Sequence, residues 1–355
     1  MPLSTLLEVP ATRRDAIRRI ADTLQQSRTA AITTHINADG DACGSVAAMA
    51  LLLPQLGVSA VIVNPTPWPS LFGFLLAPGL VDHSAEGVAA LQRADTVIAL
   101  DVSDVKRLGV LTAAVRQMPG ARIVIDHHVP TDEPAGDVLL ADTEACATGE
   151  LLYDFARELG LRITPEIAAA LYCAILTDTG GFRYSNTSPR CHAIAAELLA
   201  LGVDPESMYR RIYASLTPGR LHLLRDALGT LGVDELHGIA WVSIRNDDLE
   251  RYEVSAEDLD GIVEHPRSIA GTRVALFFRD LGYGKVKVSF RSTGDVDVNT
   301  LARQFGGGGH AKASGALIAG SLEQVLDQVV VATREFVGPV PTSAAARQNG
   351  DARRA

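Results

Sequence analysis

The chain has 355 residues, of which 47% are hydrophobic and 5% aromatic, and its formal net charge at pH 7 is −10. This length suggests two domains, and the acidic charge argues against a protein that holds long nucleic acid through its phosphates. No apolar run approaches the roughly 20 residues that cross a bilayer, the first residues lack a signal-peptide layout, and none of the four cysteines forms a C-x-x-C pair. We therefore expect a cytoplasmic protein with no membrane partner, zinc knuckle or redox dithiol.

The first part of the chain alternates short apolar runs with stretches of helical spacing. A first helix is predicted over residues 12–27, and further helices over 45–56 and 105–117. Strands are predicted at 30–34, 58–64, 96–101, 122–126 and 138–141. Near-continuous apolar strands that alternate with helices indicate a parallel sheet covered on both faces, so the predicted fold class is α/β and Rossmann-like.

Several of these strands end in polar residues. His35 follows the first strand, Asp101 ends the third, and the sequence Asp-His-His at 126–128 ends the fourth. In an open α/β sheet, ligands bind outside the carboxyl ends of the strands. We therefore expect these side chains to share one edge of the sheet.

The chain then becomes helical before it returns to strands. Helices are predicted over 144–159, 165–176, 189–201, 205–214 and 218–231, several of them opened by proline or a capping residue. Strands follow at 238–244, 272–280 and 284–292, then a glycine run, a further strand and a last helix over 322–336. The predicted division is a first domain at 12–204, a helical connector at 205–231, a smaller C-terminal α/β domain at 232–338, and a disordered tail at 339–355.

The loop "THINADGDACGS" after the first strand contains His35, Asp39 and Asp41. A calcium EF-hand is excluded because the positions that would need Gly and Glu are Ala42 and Ala48. A capping role is the open alternative, in which Asp41 caps a helix that begins near residue 43 and Asp39 forms an Asx turn. The loop alone does not decide between capping and metal binding.

Asp178 strengthens the metal interpretation, because a carboxylate at the end of an apolar helix opposes the helix dipole and requires a cation. The adjacent histidines at 127 and 128 lie at a strand end and resemble ligands, although a structural role is their alternative. Mixed carboxylate and imidazole ligands suit manganese, cobalt, iron or zinc. So many carboxylates repel one another unless two cations share them, and two ions ~3.5–4 Å apart are the arrangement used for phosphoester hydrolysis.

These motifs resemble those of the DHH phosphoesterases, which are named after the triplet found here at 126–128. "THINADGDACGS" is similar to their first motif, in which a proline usually stands where this chain has Ala38, and "LDVSD" and "TDTGGFRYSNT" are similar to the second and fourth. "FGGGGHAKASG" resembles the glycine-rich signature of the DHH-associated C-terminal domain. The resemblance covers roughly residues 15–335 and extends to the nanoRNase group of the family.

The resemblance implies a two-metal site in the cleft between the two domains. It assigns one ion to three residues, His35, Asp39 and Asp101. It assigns the other to four, with Asp101 as the bridge: Asp41, Asp101, His127 and Asp178. The catalytic set that it implies is Asp101 with His128, which would contact the scissile phosphate or assist the leaving group, and Asp126, which would orient an imidazole. Mn²⁺ is the expected ion, with Mg²⁺ or Co²⁺ as alternatives.

The glycine run satisfies neither the P-loop nor the dinucleotide pattern. It is either a flexible turn before a strand or a segment whose bare N–H groups approach a phosphate or carboxylate. Between residues 272 and 315, seven Lys or Arg stand against three Asp. The substrate-binding candidates are Arg183, Arg291, Ser292, Gly307, Gly308, Gly309 and His310.

Within the family, a compact two-domain chain with a confined basic patch favours a small substrate. We expect a phosphodiesterase and phosphatase that converts very short RNA or DNA oligonucleotides, including dinucleotides, to 5′-mononucleotides. Nucleoside bisphosphates such as 3′-phosphoadenosine 5′-phosphate are further expected substrates. A cyclic di-AMP phosphodiesterase is the alternative, followed by a single-strand 5′–3′ exonuclease and a non-catalytic nucleotide sensor. A homodimer is a further expectation from the resemblance.

Overall fold

A computed structural model of the chain describes residues 3–129, 133–214, 216–255, 257–259 and 261–340, without the side chains of residues 3, 257 and 310. The chain divides after residue 215 into two compact units, each with its own sheet. Most of the predicted disordered tail, from residue 341 onward, lies outside the described residues. Among the helices in the described part of the chain, none has both the length and the apolar character to cross a membrane.

The first unit contains a five-stranded sheet in which every neighbouring pair of strands is parallel. The strand order is β2-β1-β3-β4-β5, with the bounds β1 Thr29–Thr33, β2 Ser59–Ile62, β3 Thr96–Leu100, β4 Ala121–Asp126 and β5 Val138–Ala141. The parallel sheet predicted from the apolar runs is thereby confirmed.

The strands are mainly apolar, and both faces of this sheet are covered. Ile32 and Ile98 belong to one hydrophobic cluster, whereas their chain neighbours Ala31 and Val97 belong to another. Successive side chains of a strand point to opposite faces, so each cluster takes alternate residues. The larger cluster also contains the main helices of this unit.

The described residues of the first unit contain nine α-helices, and the longer ones agree with the predicted helices, whereas α1 and α4 were not predicted. They are α1 Leu3–Leu6, α2 Ala11–Leu24, α3 Gly40–Leu52, α4 Val88–Leu91, α5 Thr112–Arg116, α6 Thr148–Glu158, α7 Pro165–Asp178, α8 Pro189–Ala200 and α9 Pro205–Tyr213. Short 3₁₀ helices cover Leu53–Leu56, Ser70–Leu75, Ser84–Glu86 and Val105–Leu111. Side chains at Thr164, Ser188 and Asp204 cap helices whose first residue is proline.

The single helix predicted over 105–117 is wrong. Its first part is the 3₁₀ helix Val105–Leu111, and Gly109 breaks the helical backbone with φ 51° before α5 begins. Residues 45–56 likewise form the end of α3 followed by a 3₁₀ turn. In both places the apolar spacing is present, but local backbone geometry interrupts the α-helix.

The second unit contains a mixed six-stranded sheet of order β10-β11-β9-β8-β7-β6, in which only β7 and β8 pair in parallel. Its strands are β6 Gly232–Asp234, β7 Ile239–Ile244, β8 Val274–Asp280, β9 Lys285–Ser292, β10 Gly308–His310 and β11 Ala313–Ala319. Its helices are α10 Pro218–Gly229, α11 Asp248–Arg251, α12 Glu264–Arg267, α13 Val298–Arg303 and α14 Leu322–Val337, with a 3₁₀ turn at Glu257–Leu259. The sequence did not predict the short elements β6, β10, α11, α12 and α13.

The two helices of the predicted connector pack on different cores. In α9, Met208 and Ile212 belong to the main cluster of the first unit. In α10, Leu223 and Ala227 belong to a cluster of the second unit. Each helix is therefore part of the unit on which it packs.

Helices α3 and α7 approach each other closely because α3 carries glycine at the contact. A Cβ built on Gly44 would lie 2.5 Å from the carbonyl oxygen of Ala170 and 2.9 Å from the backbone nitrogen of Ala174. At Gly40, one turn earlier, a Cβ would lie 2.4 Å from Cγ2 of Thr177. The small residues of "GDACGS" thus allow the start of α3 to lie against α7.

Replacing Gly44 by Ala should destabilise the first unit, because the new methyl group collides with backbone that cannot rotate away. We expect a loss of about 1–3 kcal/mol in the free energy of unfolding, measured by urea denaturation. Gly73→Ala is the control, since a Cβ there meets nothing within 4 Å. Equal stability of the two variants would contradict the close packing of α3 on α7.

Candidate metal centre

Three neighbouring strands bring the predicted ligands to one edge of the first sheet. His35 lies two residues after β1, Asp101 follows β3, and His127 follows β4. Because β1, β3 and β4 are adjacent and parallel, their carboxyl ends lie side by side. The side chains that were predicted to share an edge therefore do so.

The first group of potential ligands consists of His35, Asp39 and Asp101, whose donor atoms lie within 4.8 Å of one another. Nε2 of His35 is 3.9 Å from Oδ2 of Asp39 and 3.5 Å from Oδ2 of Asp101. The other ring nitrogen, Nδ1, lies 2.8 Å from the carbonyl oxygen of Ile36. Burial lowers the pKa of His35, which favours the neutral imidazole that a metal requires.

Asp39 also caps α3, since its Oδ1 accepts a hydrogen bond from the backbone N–H of Ala42 at 3.1 Å. The capping alternative was therefore wrong about the residue: Asp39 is the N-cap, and Asp41 lies in the first turn of the helix. Capping uses only Oδ1 of Asp39, and Oδ2 faces His35. Asp39 can therefore cap α3 with one oxygen and offer the other to a metal ion.

Asp101 lies between the two groups and presents one oxygen to each. Its Oδ2 is 3.5 Å from Nε2 of His35, whereas its Oδ1 is 3.6 Å from Nε2 of His127. The residue is 2% exposed and has a left-handed backbone with φ 58°, which is uncommon for a residue other than glycine. Such strain at a buried carboxylate is typical of functional positions.

The second group surrounds Nε2 of His127. This atom is buried and has no hydrogen-bond partner. It lies 3.7 Å from Oδ2 of Asp41, 3.6 Å from Oδ1 of Asp101 and 3.6 Å from Oδ2 of Asp178. These separations are too long for hydrogen bonds. Ligand atoms that share one ion at about 2.1 Å lie roughly 3–3.5 Å apart, so the arrangement fits a divalent cation.

The charge of this region also fits a cation. Burial raises the pKa of Asp41 well above its usual value, and the carboxylates of Asp101 and Asp178 raise it further. Burial likewise raises the pKa of Asp101 and of Asp178. Buried carboxylates that repel one another are stabilised by a bound cation. The residues present could therefore hold divalent metal ions in two adjoining positions that share Asp101.

Asp41 is held rigidly by the start of α6. Its Oδ2 accepts the backbone N–H of Thr148 at 2.7 Å, and its Oδ1 accepts that of Gly149 at 3.0 Å. The hydroxyl of Ser45 donates to Oδ1 at 3.1 Å. The N-terminus of a helix attracts negative charge, so α6 supports this carboxylate electrostatically as well.

His128 contacts Asp126, and its Nδ1 also lies 3.6 Å from Oδ1 of Asp101, so Asp101, His127 and His128 form a third group of potential ligands. Oδ1 of Asp126 accepts from Nδ1 of His128 at 2.7 Å and from its backbone N–H at 3.2 Å, and the hydroxyl of Ser103 donates to Oδ2. The hydrogen bond to Asp126 raises the pKa of His128 to about 9. Burial alone would raise the pKa of Asp126, but the hydrogen bonds from His128 and Ser103 lower it below its usual value. Asp126 thus orients the ring of His128.

The predicted substrate-binding side chains have varied surroundings. Arg183 is exposed after α7, and its Nε donates to the carbonyl of Gly180 at 2.6 Å. Arg291 is half-buried in β9, with Nε 3.9 Å from a carboxylate oxygen of Glu264. Ser292 is buried, and its hydroxyl donates to the carbonyl of Val296 at 2.8 Å. A substrate contact for each remains a prediction, and the side chain of residue 310 lies outside the described part.

The predicted glycines of the second unit differ in what surrounds them. A Cβ on Gly307 would lie 2.2 Å from the carbonyl oxygen of Gly315, and one on Gly309 would lie 2.6 Å from that of Ala313. At Gly308 the nearest atom would be Oδ1 of Asn299, 3.8 Å away. Packing against β11 therefore excludes side chains at Gly307 and Gly309 and admits one at Gly308.

Sequence reasoning missed the residues that support the ligands. Thr148 and Gly149 hold Asp41, and Thr148 also donates its hydroxyl to Oδ1 of Asp101 at 3.1 Å. The amide of Asn186 donates to Oδ2 of Asp178 at 3.3 Å. The signal available was weak, namely a Thr-Gly-Glu sequence at a helix start and an asparagine in the segment after Asp178.

Comparison with known proteins agrees with this architecture. The family model "DHH family, N-terminal domain" matches residues 29–175, and "DHHA1 domain" matches residues 239–338. The curated protein named bifunctional oligoribonuclease and PAP phosphatase NrnA of Thermus thermophilus is 34% identical over 86% of this chain and 89% of its own length. Its namesake in Bacillus subtilis is 31% identical over 80% of this chain and 87% of its own.

A solved structure, described as an exopolyphosphatase-related protein from Bacteroides fragilis, has a TM-score of 0.83 and 26% identity, and the match covers 91% of this chain and 96% of that one. The parallel sheet and its acidic centre, followed by a second sheet unit, define a class of phosphoesterases. The chain belongs to the DHH family of metal-dependent phosphoesterases, which confirms the resemblance found in its motifs.

The raised pKa values of Asp41, Asp101 and Asp178 predict a pH-dependent response to metal. Without an ion, these folded-state acids keep protons that the unfolded chain releases, so the fold loses stability as the pH rises through the raised pKa values. A bound divalent cation replaces those protons. The increase in melting temperature on adding Mn²⁺ to chelator-treated protein should therefore grow from about pH 5 to about pH 8. An increase that is constant or shrinks over this range would contradict the assignment.

Proposed function

We propose that the chain hydrolyses very short RNA or DNA oligonucleotides and dinucleotides to 5′-mononucleotides, and that it also dephosphorylates 3′-phosphoadenosine 5′-phosphate. The observation that carries the proposal is the pair of adjoining ligand groups that share Asp101. The similarity to two relatives named bifunctional oligoribonuclease and PAP phosphatase supports this choice of substrates. The site of action we propose is the cytoplasm, and the proposed assembly is a homodimer.

We assign one divalent ion to His35, Asp39 and Asp101 and the other to four residues that include the same bridge: Asp41, Asp101, His127 and Asp178. Mn²⁺ is the preferred ion, because imidazole and carboxylate ligands occur together, and Mg²⁺ or Co²⁺ are the alternatives. When bound, such a pair of ions supplies charge that binds the phosphate and lowers the pKa of an attacking water.

The protein's own part in the reaction includes control of a proton on His128. Asp126 accepts from Nδ1 of His128, which leaves Nε2 of the same ring to donate towards the substrate. The raised pKa keeps this ring protonated near neutral pH. We therefore assign to Nε2–H of His128 a hydrogen bond to the scissile phosphate and a proton for the leaving oxygen.

Substrate binding is assigned to Arg183 from the first unit and to Arg291, Ser292, His310 and the glycine run 307–309 from the second. In this proposal residues 12–204 form the catalytic domain and residues 232–338 form the substrate-binding domain. Residues 205–231, whose two helices pack on different units, connect the two domains. A basic segment within an acidic chain suits a few phosphates better than a long strand.

A length series of substrates tests the function. We expect turnover with Mn²⁺ to be fastest on dinucleotides and to fall steeply for oligomers of about ten nucleotides or more, because the proposed contacts span few phosphates. Release of 5′-mononucleotides is measured under one metal condition, with 3′-phosphoadenosine 5′-phosphate and cyclic di-AMP included. Faster cleavage of a long single strand would indicate an exonuclease instead, and preference for cyclic di-AMP would indicate the cyclic-dinucleotide alternative.

Asp101→Ala should lower turnover by on the order of a thousandfold or more, because it removes the carboxylate shared by both positions. Asp104→Ala is the matched control in the same "LDVSD" segment, since Asp104 only caps the following 3₁₀ helix through the N–H of Lys106 at 2.8 Å. Turnover by the Asp101 variant at the wild-type level in excess Mn²⁺ would refute the bridging role. Absence of turnover by wild-type protein on every substrate would indicate a sensor.

The glycine run offers a second test. Gly308→Ala should leave the melting temperature unchanged and raise KM for dinucleotides about tenfold, since the open side of this residue is where we place the substrate. Gly307→Ala should instead lower the melting temperature, because its methyl group would collide with Gly315. An unchanged KM for Gly308→Ala would remove this residue from the substrate site.

A further inference from the structure

The segment 145–149, which leads from the loop after β5 into the first residues of α6, contacts two of the proposed ligands through its final residues. Thr148 and Gly149 donate their backbone N–H groups to Asp41 at 2.7 and 3.0 Å. The hydroxyl of Thr148 donates to Oδ1 of Asp101 at 3.1 Å. All three hydrogen bonds involve buried groups, so they hold these two carboxylates in place.

The earlier residues of the same segment contact the other two. The carbonyl of Ala145 lies 3.3 Å from Nδ1 of His127. The carbonyl of Cys146 accepts the amide of Asn186 at 2.9 Å, and that amide also donates to Oδ2 of Asp178 at 3.3 Å. All four proposed ligands of the second ion are thus supported, directly or through Asn186, by residues of the segment 145–149.

Glu150 anchors this segment from its carboxyl end. Its Oε2 accepts the backbone N–H of Cys146 at 3.1 Å, which closes the segment into a tight turn. Its Oε1 accepts from Nη1 of Arg13 at 2.7 Å and from Nε of Arg190 at 3.2 Å. Glu150 is 1% exposed, so without these two arginines its charge would be buried and unpaired.

Arg13 connects both ends of the segment. Its Nε donates to Oδ2 of Asp142 at 2.7 Å, just before the segment, and its Nη1 donates to Glu150 just after it. Nη1 also lies 2.6 Å from Oδ2 of Asp154, and Arg190 pairs with the other oxygen of that carboxylate. Arg13 is 3% exposed. The planar guanidinium matches carboxylates at fixed angles, which an ammonium group does not.

We infer that Arg13, acting through Glu150 and the segment 145–149, is a positioning residue chiefly for the second ion. Of the first ion's three ligands, only the shared Asp101 contacts this segment. His35 and Asp39, in the loop after β1 and at the start of α3, do not contact it in the hydrogen bonds of the described residues. Loss of Arg13 therefore loosens one metal position selectively. This inference rests on the proposed two-ion site.

The test measures Mn²⁺ binding to the intact chain by calorimetric titration, together with the electron paramagnetic resonance signal of a spin-coupled Mn²⁺ pair. Arg13→Lys keeps the buried positive charge and loses the planar set of guanidinium N–H donors. Glu150→Gln keeps the size of the side chain and loses its negative charge. In both variants we expect one of the two Mn²⁺ affinities to fall about 10–100-fold, as is usual when the partner of a ligand is changed, while the other changes less than about threefold. Excess Mn²⁺ should restore the coupled signal and turnover.

Arg18→Met is the matched control. Arg18 also joins α2 to α6, through Oε1 of Glu158 at 2.7 Å, but at the far end of α6 from the segment. This variant should keep both affinities. Melting temperatures of all variants are measured alongside. If the network of Arg13 and Glu150 were purely structural, its substitutions would lower the melting temperature without changing one Mn²⁺ affinity more than the other.

Two results would overturn the inference: equal weakening of both sites, or unchanged affinities in folded Arg13→Lys and Glu150→Gln proteins. The proposed function fails differently. If wild-type protein binds two Mn²⁺ ions and does not cleave short oligonucleotides, the substrate proposal is wrong while the role of Arg13 is still decided by the affinities. If wild-type protein binds fewer than two Mn²⁺ ions, the proposed function and the inferred role of Arg13 are both wrong.

Discussion

The accumulation of negative charge around one buried imidazole nitrogen is the constraint on which the rest of this structure depends. Asp41, Asp101 and Asp178 face Nε2 of His127 at 3.6–3.7 Å. Burial raises the pKa of all three carboxyl groups, and repulsion from neighbouring carboxylates raises it further. The fold offsets part of this repulsion with the N-terminus of α6, but Asp178 at the carboxyl end of α7 increases it. When these carboxylates are ionised, bound cations would offset the repulsion that remains.

Bringing these carboxylates together requires helices that approach closely. Asp41 lies on α3, Asp178 ends α7, and α6 supplies the N–H groups that hold Asp41. Glycines at the contacts make this possible, since a Cβ on Gly149 would lie 2.5 Å from the Cβ of Ala174 on α7, as close as the contacts of α3 with the same helix. The motif "GDACGS" therefore serves packing and ligand placement together. A larger residue would alter the spacing of the carboxylates by altering the spacing of the helices.

The sequence predicted the ligand-bearing part of the site because each of those residues follows an apolar strand or ends an apolar helix. A polar residue at such a position has a visible pattern, and the parallel sheet then determines that His35, Asp101 and His127 meet. The segment 145–149 has no such pattern, since it acts mainly through backbone N–H and carbonyl groups that any residue possesses. The charged network behind it joins Arg13 to Glu150 across 137 positions, which no local spacing reveals.

The difference between features with a visible sequence pattern and features without one also explains where the predicted secondary structure was wrong. Apolar spacing over 105–117 is helical in character, yet Gly109 interrupts the helix, and spacing does not report a left-handed backbone. In the second unit, β10 is only three residues long and consists of two glycines and a histidine, so it lacks any strand signature. It forms because Gly307 and Gly309 let the backbone lie against β11, whereas the packing of this unit places no such demand on Gly308. A run of four identical residues in the sequence is therefore not uniform in the structure, and a functional requirement for glycine is separable from a structural one only at Gly308.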